Sequence, residues 1–119
     1  MNDTVPRRGE VWLVDFNPGR GREQKCIRPA LILQNDIGNQ YAATTIAAIT
    51  TTIKIYPVTV LLQAKTTGLP KDSMINCAQI LTIDKSRLKK KLGQLNTIRM
   101  KQVEKALCIS LDLQTMSHF

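Results

Sequence analysis

The four consecutive aliphatic residues Ala30-Leu31-Ile32-Leu33 constrain this chain more than any other feature. Neighbouring side chains of a strand point to opposite faces, so an unbroken apolar run needs cover on both. The run therefore reads as a central strand. Upstream lies a loop built around Gly19 and Gly21 that carries Arg20, Arg22 and Glu23, and Arg28-Pro29 leads out of it into the run. Proline is tolerated at a strand start because it has no N–H to give the ladder. Downstream, Asn35-Asp36-Ile37-Gly38-Asn39 is a turn-forming cluster. Residues 18–39 thus join a charged loop to a core strand, an arrangement that holds polar chemistry on a rigid base.

The rest of the chain supplies partners for that strand. Residues 10–16 are rich in strand formers and predict a first strand. Residues 44–51, 58–62 and 73–80 predict three more, with a polar loop at 65–72. A short helical turn is expected at 83–88, and residues 89–95 suit a short strand or a loop. Met100, Val103, Leu107 and Leu111 form a helical stripe, with Asn96 or Thr97 as its cap. The expected organisation is a disordered lead-in over residues 1–7, one domain over 8–114 and a tail at 115–119. The fold class is mainly β with a C-terminal helix. The second and third strands should pair as an antiparallel hairpin. If its turn is centred on Asn39, partner numbers sum to 78, and Arg28 falls opposite Thr50. A one-residue slip would move each side chain to the other face.

Composition narrows the function. A hydrophobic fraction of 43% supports an ordinary core, and 4% aromatics make it mostly aliphatic. No apolar run is long enough to span a bilayer, and the MNDTVPRR start lacks the apolar segment of a signal peptide. A soluble cytoplasmic protein is the expectation. The net charge of +8 suggests an anionic partner, although solubility alone could explain it. Cys26, Cys77 and Cys108 are far apart, and His118 is the only histidine, so no zinc site or disulfide framework is expected.

No phosphate loop, dinucleotide fingerprint, H-E-x-x-H or G-x-S-x-G occurs in the chain. Carboxylates are too sparse for an acidic metal-ion cluster. Any enzyme built here must work through Arg, Thr, Ser, Glu or backbone groups. Cleavage of RNA by its own 2′-hydroxyl suits that restriction, because the nucleophile belongs to the substrate. The protein must align that oxygen, stabilise charge on the phosphoryl oxygens and assist proton transfer. Arginine suits the second task, since its planar fork matches phosphate and keeps its charge.

The ordered set Arg8-Gly9-Glu10-Val11-Trp12, Gly21-Arg22-Glu23-Gln24, 27–36, Ile46-Ala47-Ala48-Ile49-Thr50, Asp72-Ser73 and 79–88 resembles the MazF/PemK family of bacterial toxin endoribonucleases. The resemblance runs from about Arg8 to Leu113. It implies a small SH3-like barrel of the PemK/CcdB type, a homodimer, and metal-independent, cofactor-free cleavage of single-stranded RNA to 2′,3′-cyclic phosphate and 5′-hydroxyl ends. It also implies a small acidic MazE-like antitoxin, with operator DNA engaged only through that partner. Arg28 and Thr50 match the family's catalytic arginine and threonine. On this reading Arg28 stabilises transition-state charge, with protonation of the leaving oxygen as a second candidate role. Thr50 bonds the scissile phosphate or the 2′-oxygen, and Glu23 is a general base or a loop anchor. Arg20, Arg22, Gln24, Ser73 and Gln79 are candidates for RNA contact or site support. Arg22 stands where several relatives carry a small residue, so their cleavage sequence does not transfer. The rival expectation is a non-enzymatic protein on the same fold: a CcdB-like gyrase-binding toxin or a nucleic-acid-binding regulator.

Overall fold

A computed structural model describes residues 5–17 and 26–114. Its strands are β1 (Glu10–Asp15), β2 (Ile27–Ile32), β3 (Ala43–Thr50), β4 (Thr59–Leu62), β5 (Ser73–Asp84) and β6 (Leu88–Gln94). A single helical turn, α1 (Ala64–Thr67), follows β4, and α2 (Thr97–Leu111) closes the domain. The strands form one antiparallel sheet in the order β4-β5-β3-β2-β1-β6. It curls into an SH3-like half-barrel, the mainly β plan with a C-terminal helix that the pattern predicts.

β2 is central and covered on both faces. Leu31 joins a core with Val11, Ala47, Ile75 and, from α2, Val103 and Ala106. Ala30 and Ile32 point the other way, into a second core with Trp12, Val14, Ile46 and Ile83. The β2–β3 register pairs Ala30 with Ala48, Leu31 with Ala47 and Ile32 with Ile46, the expected sum of 78. The turn that sets this register is built on a buried polar group. Asn39 is fully buried, and its Oδ1 accepts from Thr44 Oγ1 at 2.7 Å and Gln34 Nε2 at 3.1 Å. Its Nδ2 donates to Gln34 O at 3.0 Å, so every polar atom of the side chain is used.

β5 departs from the local reading. It runs on to Asp84, and the expected helical turn shrinks to a 3₁₀ turn, Lys85–Arg87. Against β3, its register jumps from Ala47–Ile80 to Ala48–Asn76, leaving Cys77, Ala78 and Gln79 without β3 partners. Extra residues in one strand bend it and increase its twist. This irregularity lets a single long strand serve both halves of a curled sheet.

Other differences are smaller. β2 starts at Ile27 rather than near Pro29, residues 88–94 form a strand, and α1 lies in the expected polar loop. Gly68 ends α1 with φ +73°, and a Cβ there would meet Leu92 O at 2.3 Å, so glycine permits the close approach to β6. In α2, Asn96 Oδ1 caps the helix by accepting from Arg99 N–H at 2.8 Å. The buried stripe ends early: Val103 and Ala106 are core, whereas Leu111 is 53% exposed. The lead-in also needs correction at its end. Pro6 is fully buried and Arg7 N–H donates to Glu10 Oε1 at 2.9 Å, so the packed domain begins before Arg8. Burial of the proline ring and that bond repay the ordering of these residues.

The Arg8-Gly9-Glu10-Val11-Trp12 block is architectural. Arg8 Nε donates to Leu33 O at 3.1 Å, and Arg8 Nη2 pairs with Glu104 of α2 at 3.2 Å. Buried Glu10 accepts from Trp12 Nε1 at 2.9 Å and pairs with Lys91 of β6 at 3.0 Å. Burial pushes the Glu10 carboxyl up, but bonds from Trp12, Arg7 N–H and Lys91, with the charge of Lys91, outweigh it and hold the group below its ordinary 4.5. A lowered carboxyl stabilises the fold above its unfolded value and loses that contribution as pH falls through the folded one. Glu10→Ala should therefore cost about 1–3 kcal/mol near neutral pH, by orphaning buried donors. Urea unfolding of both proteins checks this, and the gap should narrow as pH falls below about 4.5.

The thiols provide a second check on the packing. Cys77 is fully buried, and burial pushes its thiol up to about 11, whereas Cys26 and Cys108 are half-buried. The thiolate is the reactive form. Alkylation of the native protein, mapped by mass spectrometry, should label Cys26 and Cys108 and spare Cys77 until denaturant is added. Rapid native labelling of Cys77 would contradict its place in the core.

Candidate functional site

The irregularity in β5 opens a groove on the sheet. Its volume is about 330 Å³, and it is lined by Phe16, Arg28, Pro29, Ala48, Ile49 and the segment Ala78, Gln79, Ile80 and Leu81. Three strands meet there. β2 contributes Arg28 from its exposed first turn, before the strand plunges into the core. β3 contributes a small residue, Ala48, which leaves space. The bulged segment of β5 contributes Gln79, exposed because it is released from the β3 ladder. Phe16, just beyond β1, packs against the core of Trp12 and Val14 and forms one wall.

Thr50 lies at the end of β3, half-buried, and is not itself a lining residue. It shares the face of Ala48 by strand alternation. Extending the Ala30–Ala48 pairing by two residues sets it across from Arg28. Its Oγ1 accepts from Thr52 N–H at 3.1 Å, which fixes the hydroxyl oxygen while leaving its proton available. Ser73 is only 2% exposed and its Oγ donates to Lys71 O at 3.0 Å. Ser73 is thus buried at the start of β5, paired with Leu62 of β4, and does not line the groove. Arg20, Arg22, Glu23 and Gln24 lie outside the described residues. The structure thus brings Arg28 and Gln79 into one groove, while Thr50 is not among its lining residues.

The groove is a cationic cleft with apolar walls. Among the described residues the Arg28 side chain makes no ion pair or hydrogen bond, and it is exposed at the start of β2. No Asp or Glu is among the residues that line the groove, and two carboxylates elsewhere belong to the frame. Asp15 is held below the ordinary carboxylate range chiefly by the Asn17 N–H, with Lys89 and Arg87 adding to it. Asp84 is lowered in the same way, chiefly by the Ser86 N–H. Both remain ionised acceptors near neutral pH and are unsuited to donate a proton there. No group of three or more His, Cys, Asp or Glu side chains converges among the described residues. A fixed cation, an amide and a hydroxyl around an apolar floor can bind a phosphodiester and stabilise added charge on it.

Of the lining, Phe16, Ala48, Ala78, Ile80 and Leu81 were given no site role by the sequence reading, whereas Gln79 was. Phe16 follows Trp12 and Val14 at alternate positions, so its face was legible. The wall depends on the three-residue register jump, which no local pattern announces.

Comparison with known proteins bears on the family and the fold. The family model described as "PemK-like, MazF-like toxin of type II toxin-antitoxin system" matches residues 7–111. A protein named Endoribonuclease MazF from Staphylococcus saprophyticus is 49% identical over 114 residues, covering 92% of this chain and 94% of the relative. Among solved structures, an endoribonuclease in complex with its cognate antitoxin from a mycobacterial species superimposes with a TM-score of 0.78 at 27% identity, covering 93% and 99% of the two chains. MazF from Deinococcus radiodurans gives a TM-score of 0.76 at 26% identity, covering 92% and 99%.

Proposed function

The chain belongs to the PemK-like, MazF-like toxins of type II toxin–antitoxin systems, and from that premise we propose how its groove works as the active site of an endoribonuclease. The substrate is single-stranded RNA, in the cell mRNA in the cytoplasm, cut at short sequences. The observation that carries the reading is the groove itself. An arginine whose side chain has no ion pair among the described residues lines it together with an exposed glutamine, and the Ala30–Ala48 pairing, if continued by two residues, would set Thr50 opposite that arginine.

In the proposed reaction the 2′-oxygen attacks the adjacent phosphorus and the P–O5′ bond breaks. The products are a 2′,3′-cyclic phosphate and a 5′-hydroxyl. The proton lost by the 2′-hydroxyl balances the one gained by the 5′-oxygen. Arg28 donates to the phosphoryl oxygens as charge builds on them. Thr50 donates to the phosphate or orients the 2′-oxygen. Glu23 takes the 2′-proton or holds its own loop, while Arg20, Arg22, Gln24 and Gln79 grip the RNA. Ser73 supports the end of β3. The nucleophile comes from the RNA, so the step needs no metal or cofactor, and DNA is not cut by this route. The charge of +8 suits both RNA and a small acidic antitoxin, the partner proposed to hold the toxin in check. The acting form is a homodimer, and operator DNA is reached only through the antitoxin.

Incubation with single-stranded RNA in EDTA, followed by end mapping, should yield cyclic-phosphate and 5′-hydroxyl ends. Arg28→Ala should lower the rate about 100- to 1,000-fold, the cost of one lost transition-state donor. Thr50→Val should fall in the same direction with its melting temperature little changed. Cleavage that survives Arg28→Ala would remove the site assignment. A requirement for added Mg²⁺ would remove the mechanism, and absence of cleavage would return the chain to a binding role.

A further inference from the structure

We propose that Arg87 is a positioning residue for this reaction, acting from the 3₁₀ turn behind β2 to set Arg28 against the Phe16 wall of the groove. The inference rests on the endoribonuclease reading and deepens it.

The contacts are specific. Arg87 Nη1 donates to Asp15 O at 2.9 Å and to Asn17 O at 2.6 Å. These two carbonyls flank Phe16, so one guanidinium nitrogen fixes the backbone on either side of a groove-lining residue. The fixed segment is bonded in turn to the start of β2. Phe16 N–H donates to Cys26 O at 2.8 Å, and Cys26 N–H donates to the Asn17 side chain at 3.1 Å. Asn17 N–H closes the set on Asp15 Oδ1 at 2.9 Å. Arg28 stands two residues beyond Cys26.

The same turn holds the other end of β2. Lys85 Nζ donates to Asn39 O at 2.7 Å, and Lys85 N–H donates to Ala42 O at 2.9 Å. Asp84 Oδ1 accepts from Ser86 N–H at 2.8 Å and keeps the turn in shape. Lys85 and Arg87 therefore grip both connections of the strand that carries Arg28. Arg87 is half-buried, so its bonds are partly shielded from competing water. A rigid Arg28 matters because an error of about 1 Å in a reacting group can cost roughly 100-fold in rate.

The test compares Arg87→Met, Arg87→Lys, Asn17→Ala and the double variant Arg87→Met/Asn17→Ala with the unsubstituted protein, by steady-state cleavage of one RNA in EDTA at two salt concentrations. Positioning predicts that Arg87→Met lowers kcat about 10- to 100-fold while KM and its salt dependence stay within about threefold. Arg87→Lys, which can reach a carbonyl but lacks the fork, should recover part of kcat. Asn17→Ala and Arg87→Met should be non-additive, since both loosen one junction. A rise in KM with a flatter salt dependence would make Arg87 a direct phosphate contact and overturn the proposal, as would an unchanged kcat. If Arg87→Met unfolds at assay temperature, the Arg87→Lys and Asn17→Ala pair carries the same comparison. Failure of the unsubstituted protein to cut RNA would instead overturn the endoribonuclease reading, so the two failures are distinguishable.

Discussion

The strand β2 changes character along its six residues, and the remainder of the molecule is arranged around that change. Ile27 and Arg28 are exposed, Pro29 is half-buried, and Ala30, Leu31 and Ile32 are sealed on both faces. The buried end cannot shift without exposing aliphatic surface to water, at roughly 25 cal/mol per Å². It cannot slip by one residue without exchanging its two cores. The exposed end inherits that rigidity. A charged side chain two residues from a doubly covered strand is far better located than the same side chain on a free loop.

This constraint needs its ends tied as well as its middle packed. The polar network does this. Asn39 seals the turn that follows β2, and the Arg8 side chain fastens the Leu33 carbonyl to α2 through Glu104. Glu10 joins β1 to β6 and orients Trp12 from beneath. The bonds to backbone carbonyls and buried donors matter most here, because an unmade partner there is expensive, whereas the part-exposed Arg8–Glu104 pair is worth little by itself. No buried side-chain nitrogen or oxygen among the described residues lacks a partner.

The depth to which the sequence could be read follows the range of the interactions. The central strand, its two-sided burial and its pairing with β3 were legible, because alternation and a turn centre are local properties. The α2 cap at Asn96 was legible for the same reason. The length of β5 was not, since Ser73–Asp84 is continuous only by virtue of an irregularity against β3. Leu111 illustrates the converse error: helical spacing put it in the core, but it lines an open groove with Leu33, Thr45, Ile80 and Leu107 and stays 53% exposed. Of the site, Arg28 and Gln79 were found through the family resemblance and meet in the groove. Ser73 was read as a candidate for RNA contact or site support, and its burial was not legible because strand alternation alone does not report that β4 pairs beside it. Arg87 was quoted in the matched block without a role, because its partners are main-chain carbonyls 70 residues away and carbonyls have no sequence signature.

The bulge and the 3₁₀ turn together explain why one long strand can make an active-site groove. Where β5 leaves the β3 ladder, Gln79 is turned outward and the floor over Ala48 is left open. Where β5 ends, Lys85 and Arg87 reach back across the sheet to the two connections of β2. The first event removes pairing and creates space. The second restores order at the strand whose arginine uses that space. A bulge without the turn would leave Arg28 beside a groove on a strand end free to fray. The turn without the bulge would hold a well-ordered arginine against a closed sheet. Cys77, Ala78 and Gln79, which have no β3 partners, and the turn Lys85–Arg87 lie in one continuous run of chain, so a single strand and its exit both open the groove and steady the arginine beside it.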